Sequence, residues 1–497
     1  MVDKWDAILA ALAAGRVPVS SADVRVYPQS YAENGGARLV MVRDGTEKYL
    51  LAAGAGALFD ELRGQRRVDG KVCPLSHENR QVLNHWFGYT VPRAFGAETA
   101  TIGLGDRLGL ASPGHIRIVR GRDVRPILAQ QSVRELTLTG RTFRDVLDAA
   151  SFAAFQEGYR DGFGADGDHL KTDADIREAL DCGFSMLTLD CSEKIDHTVE
   201  HADDAVVESK YAEIPEDVRR ELEQRYLDRS FSVGGHVLRF DRRSFVRTVL
   251  IYARAVDFMA QVYRRHVENA GRPIDFEISI DETLTPTTPE AHFFVANELY
   301  ERKVRLTSMA PRFCGEFQKG IDYIGDVDRF ERELRVHAAI ADHFGYKLSI
   351  HSGSDKFSVF PLIARHTRGR FHLKTAGTNW LEAVRVVARV RPDLYRRMHE
   401  YARRHVGEAL KYYHVTADFA AIRPLDETPD EDLPAYLDDK NARQMMHITY
   451  GLLLRARDES GRPLFKDEFF RTLIEREDEY DAALAAHIGR HLELLGK

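Results

Sequence analysis

Between Phe163 and Thr172 the chain reads Phe-Gly-Ala-Asp-Gly-Asp-His-Leu-Lys-Thr, which gathers Asp166, Asp168, His169 and Lys171 just behind a short apolar stretch. Carboxylates, an imidazole and an ammonium at that density suit proton transfer, metal ligation and the holding of an anion. Nothing structural requires it. Gly162, Gly164 and Gly167 let the backbone bend and leave open space beside those side chains. In parallel α/β folds the C-terminal end of a strand is where chemistry sits, and that is where this cluster falls.

Period-2 alternation adds partners from other strands, because successive residues on a strand point to opposite faces. In Asp275-Phe-Glu-Ile-Ser-Ile-Asp281 the apolar Phe276, Ile278 and Ile280 face one way, and Glu277, Ser279 and Asp281 the other. The same rule puts Ser349 and His351 of Lys347–His351 on the inner face, with His372 and Lys374 of Arg370–Lys374. Three histidines, His169, His351 and His372, thus converge from three strand ends. Neutral imidazole is the commonest zinc ligand, and three protein ligands with one open position is a catalytic arrangement. A lone histidine after a strand is more often a hydrogen-bonded structural residue, but each of these three ends an apolar strand. Glu277 reads equally well as the ion-pair partner of a lysine inside a barrel.

The elements that must position these residues follow a βα rhythm. The segment Phe143–Phe155 has apolar residues at helical spacing, with a capping box at Thr142 and Asp145, and feeds the strand before the cluster. Strands are expected at Thr99–Gly103, Pro126–Ala129, Gly162–Ala165, Ser185–Leu189, Asp275–Ile280, Val304–Met309, Lys347–Ile350 and Phe371–Leu373, with a ninth candidate at Tyr412–Thr416. Eight parallel strands with intervening helices close most naturally into a (β/α)8 TIM-like barrel, the α/β fold class expected here. The barrel is expected over 96–424. It carries an insertion at about 191–271 built of a helix from about Pro215, a hairpin at Val233–Phe240 and a long helix through Arg265. The insertion covers one face or makes subunit contacts, which admits a homo-oligomer. An N-terminal α+β portion over 1–95 has a hairpin turning at Asp44-Gly45, and a C-terminal helical extension covers 425–497. Gly103-Leu-Gly-Asp-Arg-Leu-Gly109 sets its third glycine one position too late for a dinucleotide fingerprint, so it reads as a strand-end loop carrying Asp106 and Arg107.

Composition narrows the class. The chain has 497 residues, 44% of them hydrophobic, and balances 70 Lys and Arg against 77 Asp and Glu for a formal charge of -7. With no basic block interleaved with aromatics, a nucleic-acid partner is not indicated. The four cysteines form no Cys-x-x-Cys pair, so neither a disulfide framework nor a thiolate zinc site is signalled. No leader pattern and no long apolar run occurs, which excludes a membrane partner and points to the cytoplasm.

Taken together, Asp161–Thr172, Ser279-Ile-Asp-Glu-Thr283, Thr288–Phe294, Phe317–Gly325, His351-Ser-Gly-Ser-Asp-Lys-Phe357 and His372-Leu-Lys-Thr-Ala-Gly-Thr378 resemble the tagaturonate epimerases, also called tagaturonate/fructuronate epimerases. These are metal-dependent enzymes of bacterial hexuronate catabolism, and the likeness runs from about Gly103 to past His372. It implies interconversion of D-tagaturonate and D-fructuronate, a small sugar acid as partner, and a divalent cation such as zinc, manganese or nickel. Because the two sugars differ two bonds from the ketone carbon, retro-aldol cleavage and re-addition is the expected route. Within that scheme His169, His351 and His372 bind the cation, Asp168 takes the hydroxyl proton, and Glu277 or Asp281 returns one on the other face. Lys171, Arg312, Lys356 and Lys374 are candidates for the substrate carboxylate, or are salt-bridged to the site's own carboxylates. The adjacent Asp168 and His169 also resemble the acid-next-to-ligand pair of class II aldolases. A barrel aldolase or ketose isomerase acting on another sugar acid is therefore one alternative, and a non-catalytic sugar-acid-binding regulator is another.

Overall fold

The computed structural model describes residues 4–497. By compactness the chain divides into two units. One comprises Met1–Arg93, Leu104–Ala165 and Ala376–Arg490, and the other Ala94–Gly103, Asp166–Thr375 and His491–Lys497.

The first unit opens with an antiparallel sheet of β1 (Val24–Asn34), β2 (Ala37–Asp44), β3 (Glu47–Gly54), β4 (Gln65–Arg67) and β5 (Gly70–Pro74), in the order β1-β2-β3-β5-β4. Gly45, at φ 58°, makes the turn that pairs Asp44 with Glu47. Both faces are buried, which explains why β2 and β3 read as nearly unbroken apolar runs. Leu39, Met41, Leu50 and Ala52 pack with Phe152 and Phe155, whereas Val40, Val42, Leu51 and Ala53 pack on Ile8, Leu9 and Leu12. The helix Phe143–Gln156 has the expected reciprocal capping box at Thr142 and Asp145, and it buries Phe143, Val146, Leu147, Ala150 and Ala154.

Eight parallel strands close the barrel: β6 (Thr101–Gly105), β7 (Arg125–Ser132), β8 (Gly164–Leu170), β9 (Met186–Asp190), β12 (Asp275–Ile280), β13 (Ser308–Pro311), β14 (Lys347–Ile350) and β15 (Phe371–Ala376). The hairpin β10 (Ser230–Val233) and β11 (His236–Arg239) lies in the insertion, between the helices Glu216–Tyr226 and Arg242–Val262. The strands β12 and β14 have the limits read from the sequence. β13 begins four residues later than expected, because Lys303 turns left-handed at φ 61° and Val304 donates its N–H back to Leu299, so residues 303–304 finish the Pro289–Glu301 helix. Tyr412–Thr416 forms no strand.

Registers explain what lines the axis. Glu277 lies opposite Thr188 on β9 and Ser308 on β13, and Ser349 lies opposite His372. Thr188, Glu277, Ser308, Ser349 and His372 are all inaccessible to solvent, so this interior is polar rather than filled by branched aliphatics. Phe276, Ile278 and Ile280 point away from it and are also buried, as a strand covered on both faces demands.

Candidate active site

Alternation alone would send Asp168 and His169 to opposite faces of β8. The backbone solves this with a bulge: Gly167 pairs with Leu187 but Leu170 with Leu189, leaving one extra residue on β8, and His169 stands at φ 52°. A non-glycine residue held there costs about 1–3 kcal/mol, a strain that collects at functional sites. The consequence is that the acid and the imidazole both enter the same cluster.

Asp168 is buried, and Lys374 Nζ from β15 stands 2.6 Å from its Oδ1. Burial would raise this carboxyl's pKa, but the Lys374 charge and the nearby His169 outweigh it and hold Asp168 below the ordinary range. The ammonium of Lys374 is held above its usual value by the same contact, which overcomes its own burial. The base proposed from the sequence is thus ionised and oriented. His169 Nδ1 lies 3.4 Å from Asp190 Oδ2 and is buried without a hydrogen bond of good geometry among the described residues. Its ring meets His351 edge-on, at 5.2 Å between centroids.

His351 joins two carboxylates. Its Nε2 lies 2.7 Å from Glu277 Oε1 and its Nδ1 3.2 Å from Asp281 Oδ1. Burial opposes its charged form, yet Asp281 and Glu277 raise its pKa to about 10. Glu277 also accepts 2.5 and 3.3 Å hydrogen bonds from the hydroxyls of Ser308 and Thr188. Asp281 accepts one from Ser279. Both acids are held well below the carboxylate range although burial alone would raise them. Glu277 takes His351 as its ion-pair partner, while the ammonium of the barrel lysine Lys347 donates to the carbonyls of Gly96 and Thr99. His372 is deeper. Its Nδ1 is 2.9 Å from Thr101 Oγ1, and burial lowers its pKa to about 4 against the pull of Glu277.

The four cations expected to meet substrate separate into different roles. Lys374 pairs with Asp168. Lys356 directs its ammonium at the carbonyls of Gln318, Ile321 and Ser354, at 2.6 to 2.8 Å, and ties the loop after β13 to the loop after β14. Lys171 is half-buried, 3.2 Å from Ser192 Oγ and 3.4 Å from Asp190 Oδ2. Arg312 donates to the Thr283 carbonyl and, with Asp281, Phe317, His351 and Ser352, lines a cavity of about 160 Å³.

Three ligand atoms, one each from His169, Asp190 and Glu282, lie within 4.8 Å of one another. A donor set of one imidazole and two carboxylates, with His169 Nδ1 buried and Asp190 held ionised, fits a divalent cation. His351 and His372 have the other partners described above. Asp190 and Glu282 escaped the sequence reading, though alternation along Leu187-Thr-Leu-Asp190 puts Asp190 on the same face as Thr188. The expected strand stopped at Leu189, one residue short.

A family model described as tagaturonate epimerase matches residues 27–495. A curated relative from Thermotoga maritima, named tagaturonate/fructuronate epimerase, is 42% identical over 479 residues, which cover 95% of this chain and 96% of the relative. A crystal structure of fructuronate-tagaturonate epimerase from Cohnella laeviribosi, complexed with one glycerol, is 60% identical with a TM-score of 0.95 and covers 99% of both chains. The native crystal form of that protein has the same identity and TM-score over 98% of each chain.

Proposed function

The chain belongs to the tagaturonate epimerase family, and from that membership we propose that it interconverts D-tagaturonate and D-fructuronate by breaking and remaking one carbon–carbon bond. The stereocentre that differs lies two bonds from the ketone carbon. Its hydrogen is not acidified by direct attachment to the carbonyl-bearing carbon, so simple α-proton exchange does not invert it. Retro-aldol chemistry does. The hydroxyl on that carbon gives its proton to Asp168, and the bond to the carbon beside the ketone breaks. The electron pair of that bond passes into an enediolate and leaves an aldehyde. The aldehyde turns its other face, the bond re-forms, and the new alkoxide recovers a proton.

The observation that carries this reading is the contact between Lys374 and Asp168, which keeps a buried carboxylate ionised and aimed as a base needs to be. Asp281 with His351 is the pair placed to return the second proton, because both line the cavity whereas Glu277 is wholly enclosed behind them. Arg312, which lines that cavity, and Lys171, half-buried beside Asp190, meet the substrate's oxygens. A divalent cation held by His169, Asp190 and Glu282 would supply Lewis-acid stabilisation of negative charge on the ketone oxygen.

The test is an assay of D-tagaturonate with fructuronate followed, on protein dialysed against chelator and then reloaded with zinc, manganese or nickel. Activity lost on dialysis and restored by one ion is the expected outcome. His169→Ala and Glu282→Gln should both weaken metal retention beyond the roughly 10–100-fold that loss of an outer partner costs, and His372→Ala should leave it nearly unchanged. Metal lost from His372→Ala but kept by Glu282→Gln would return the site to the three histidines.

A further inference from the structure

Side-chain contacts join the loop after β13, residues 312–325, to the loop after β14, residues 351–359. The buried Lys356 ammonium takes the carbonyls of Gln318 and Ile321 across the gap and that of Ser354 in its own loop. The Asp322 carboxylate accepts the N–H and the hydroxyl of Ser358, at 3.1 and 2.9 Å. Between them the half-buried Lys319 donates from Nζ to Ser352 Oγ at 3.2 Å. The first two contacts already fix the backbone on both sides of residue 319. The third ends elsewhere, on the wall of the cavity of about 160 Å³ that Ser352 lines with Asp281, Arg312 and His351.

Ser352 is an unlikely residue for its turn on backbone grounds. Its φ of 48° is left-handed, a conformation that glycine adopts more readily than serine. The turn is pinned from the next position, where Gly353 donates its N–H to the Lys374 carbonyl at 3.0 Å and a Cβ would stand 2.5 Å from Leu373 Cδ1. Serine supplies what glycine lacks, an oxygen on the cavity wall within reach of Lys319. A hydroxyl that accepts from an ammonium keeps its own O–H to donate, and the charge behind it strengthens that donor. On the same cavity the Arg312 guanidinium gives one donor to the Thr283 carbonyl, which fixes its plane and leaves others for a ligand. The carboxylates lining this space are Asp281 and Glu316. Asp281 is turned to His351 and Ser279, which leaves Glu316 as one charge against the two cations Arg312 and Lys319. Directed donors backed by positive charge suit a planar anion with two oxygens.

We propose that Ser352 Oγ, backed by Lys319, and Arg312 hold the carboxylate of the hexuronate, and that Lys319 thereby selects a sugar acid over the neutral sugar of the same stereochemistry. This rests on the substrate reading given above. The inverted carbon lies two bonds from the carboxylate carbon. Anchoring the carboxylate here therefore sets that carbon toward Asp281 and His351, the pair on the same cavity that returns the second proton.

The experiment uses metal-loaded protein and compares the parent with Lys319→Met, which keeps the stem and loses the charge, and Lys319→Arg, which keeps the charge. D-tagaturonate and D-tagatose, whose hydroxymethyl stands where the carboxylate is, are each measured as substrate and as calorimetric ligand, with a thermal melt as the fold control. Lys319→Met should raise KM and Kd for D-tagaturonate about ten- to a hundredfold, the range of one charge-assisted hydrogen bond, with kcat changed less. The preference for D-tagaturonate over D-tagatose should fall by the same factor, and Lys319→Arg should recover most of it. A merely loosened loop would weaken both sugars alike. That result, or a folded Lys319→Met protein that binds D-tagaturonate as the parent does, overturns the proposal and leaves the epimerase reading standing. If the parent binds D-tagaturonate through Lys319 yet forms no fructuronate, the carboxylate site stands and the epimerase reading falls. If Lys319→Met fails to fold, Ser352→Gly, which suits the left-handed turn and removes the oxygen, takes its place with the same readings.

Discussion

Asp168→Asn should lower turnover at least about a hundredfold while the protein keeps its metal and its fold, the usual scale for loss of a positioned general base. The substitution preserves size but cannot accept a proton. It also leaves Lys374, buried and 2.6 Å away, facing a neutral amide. The effect should fall on kcat more than on KM, because the interaction lost is made to the proton being transferred. Near-normal turnover would remove Asp168 from the chemistry and reduce its contact with Lys374 to a structural ion pair.

The second large effect is on stability. In metal-stripped protein, Glu277→Gln should cost about 3–5 kcal/mol in chemical denaturation, the range for removing one partner of a buried ion pair. Glu277 is inaccessible, and it joins the His351 imidazole to the hydroxyls of Ser308 and Thr188, so the loss reaches three barrel strands besides its own. Asp281 remains beside His351 but has a side chain 20% exposed, and solvent screens what it supplies. A cost below about 1 kcal/mol would show that Glu277 is spare to the fold and retained for chemistry alone.

Much of this was legible in the sequence, because the barrel is written in two simple periodicities. Alternation along Asp275–Ile280 put Glu277 and Ser279 on the axis, and the helical spacing of Phe143–Gln156 with its cap survived intact. What stayed hidden depends on departures from those periods. The bulge that brings His169 to the side of Asp168 leaves no mark in composition, since the left-handed residue is a histidine rather than a glycine. Lys356 looks in sequence like a cation waiting for an anion, and only the fold shows its ammonium directed at three carbonyls of neighbouring loops. Arg107 was read as an ordinary loop residue. Only the fold shows its guanidinium buried against Glu135 and the Tyr450 ring, which no local pattern connects to it.

The central claim is that a carbon–carbon bond breaks while the hydrogen on the inverted carbon stays in place. Metal-loaded protein given D-tagaturonate in deuterated water, and followed by NMR to equilibrium, tests it directly. D-fructuronate should accumulate with that position protiated in both epimers, because only the hydroxyl proton has moved. Deuterium at that carbon, appearing at the rate of turnover, would contradict the cleavage route and make Asp168 and Asp281 a two-base pair acting on carbon.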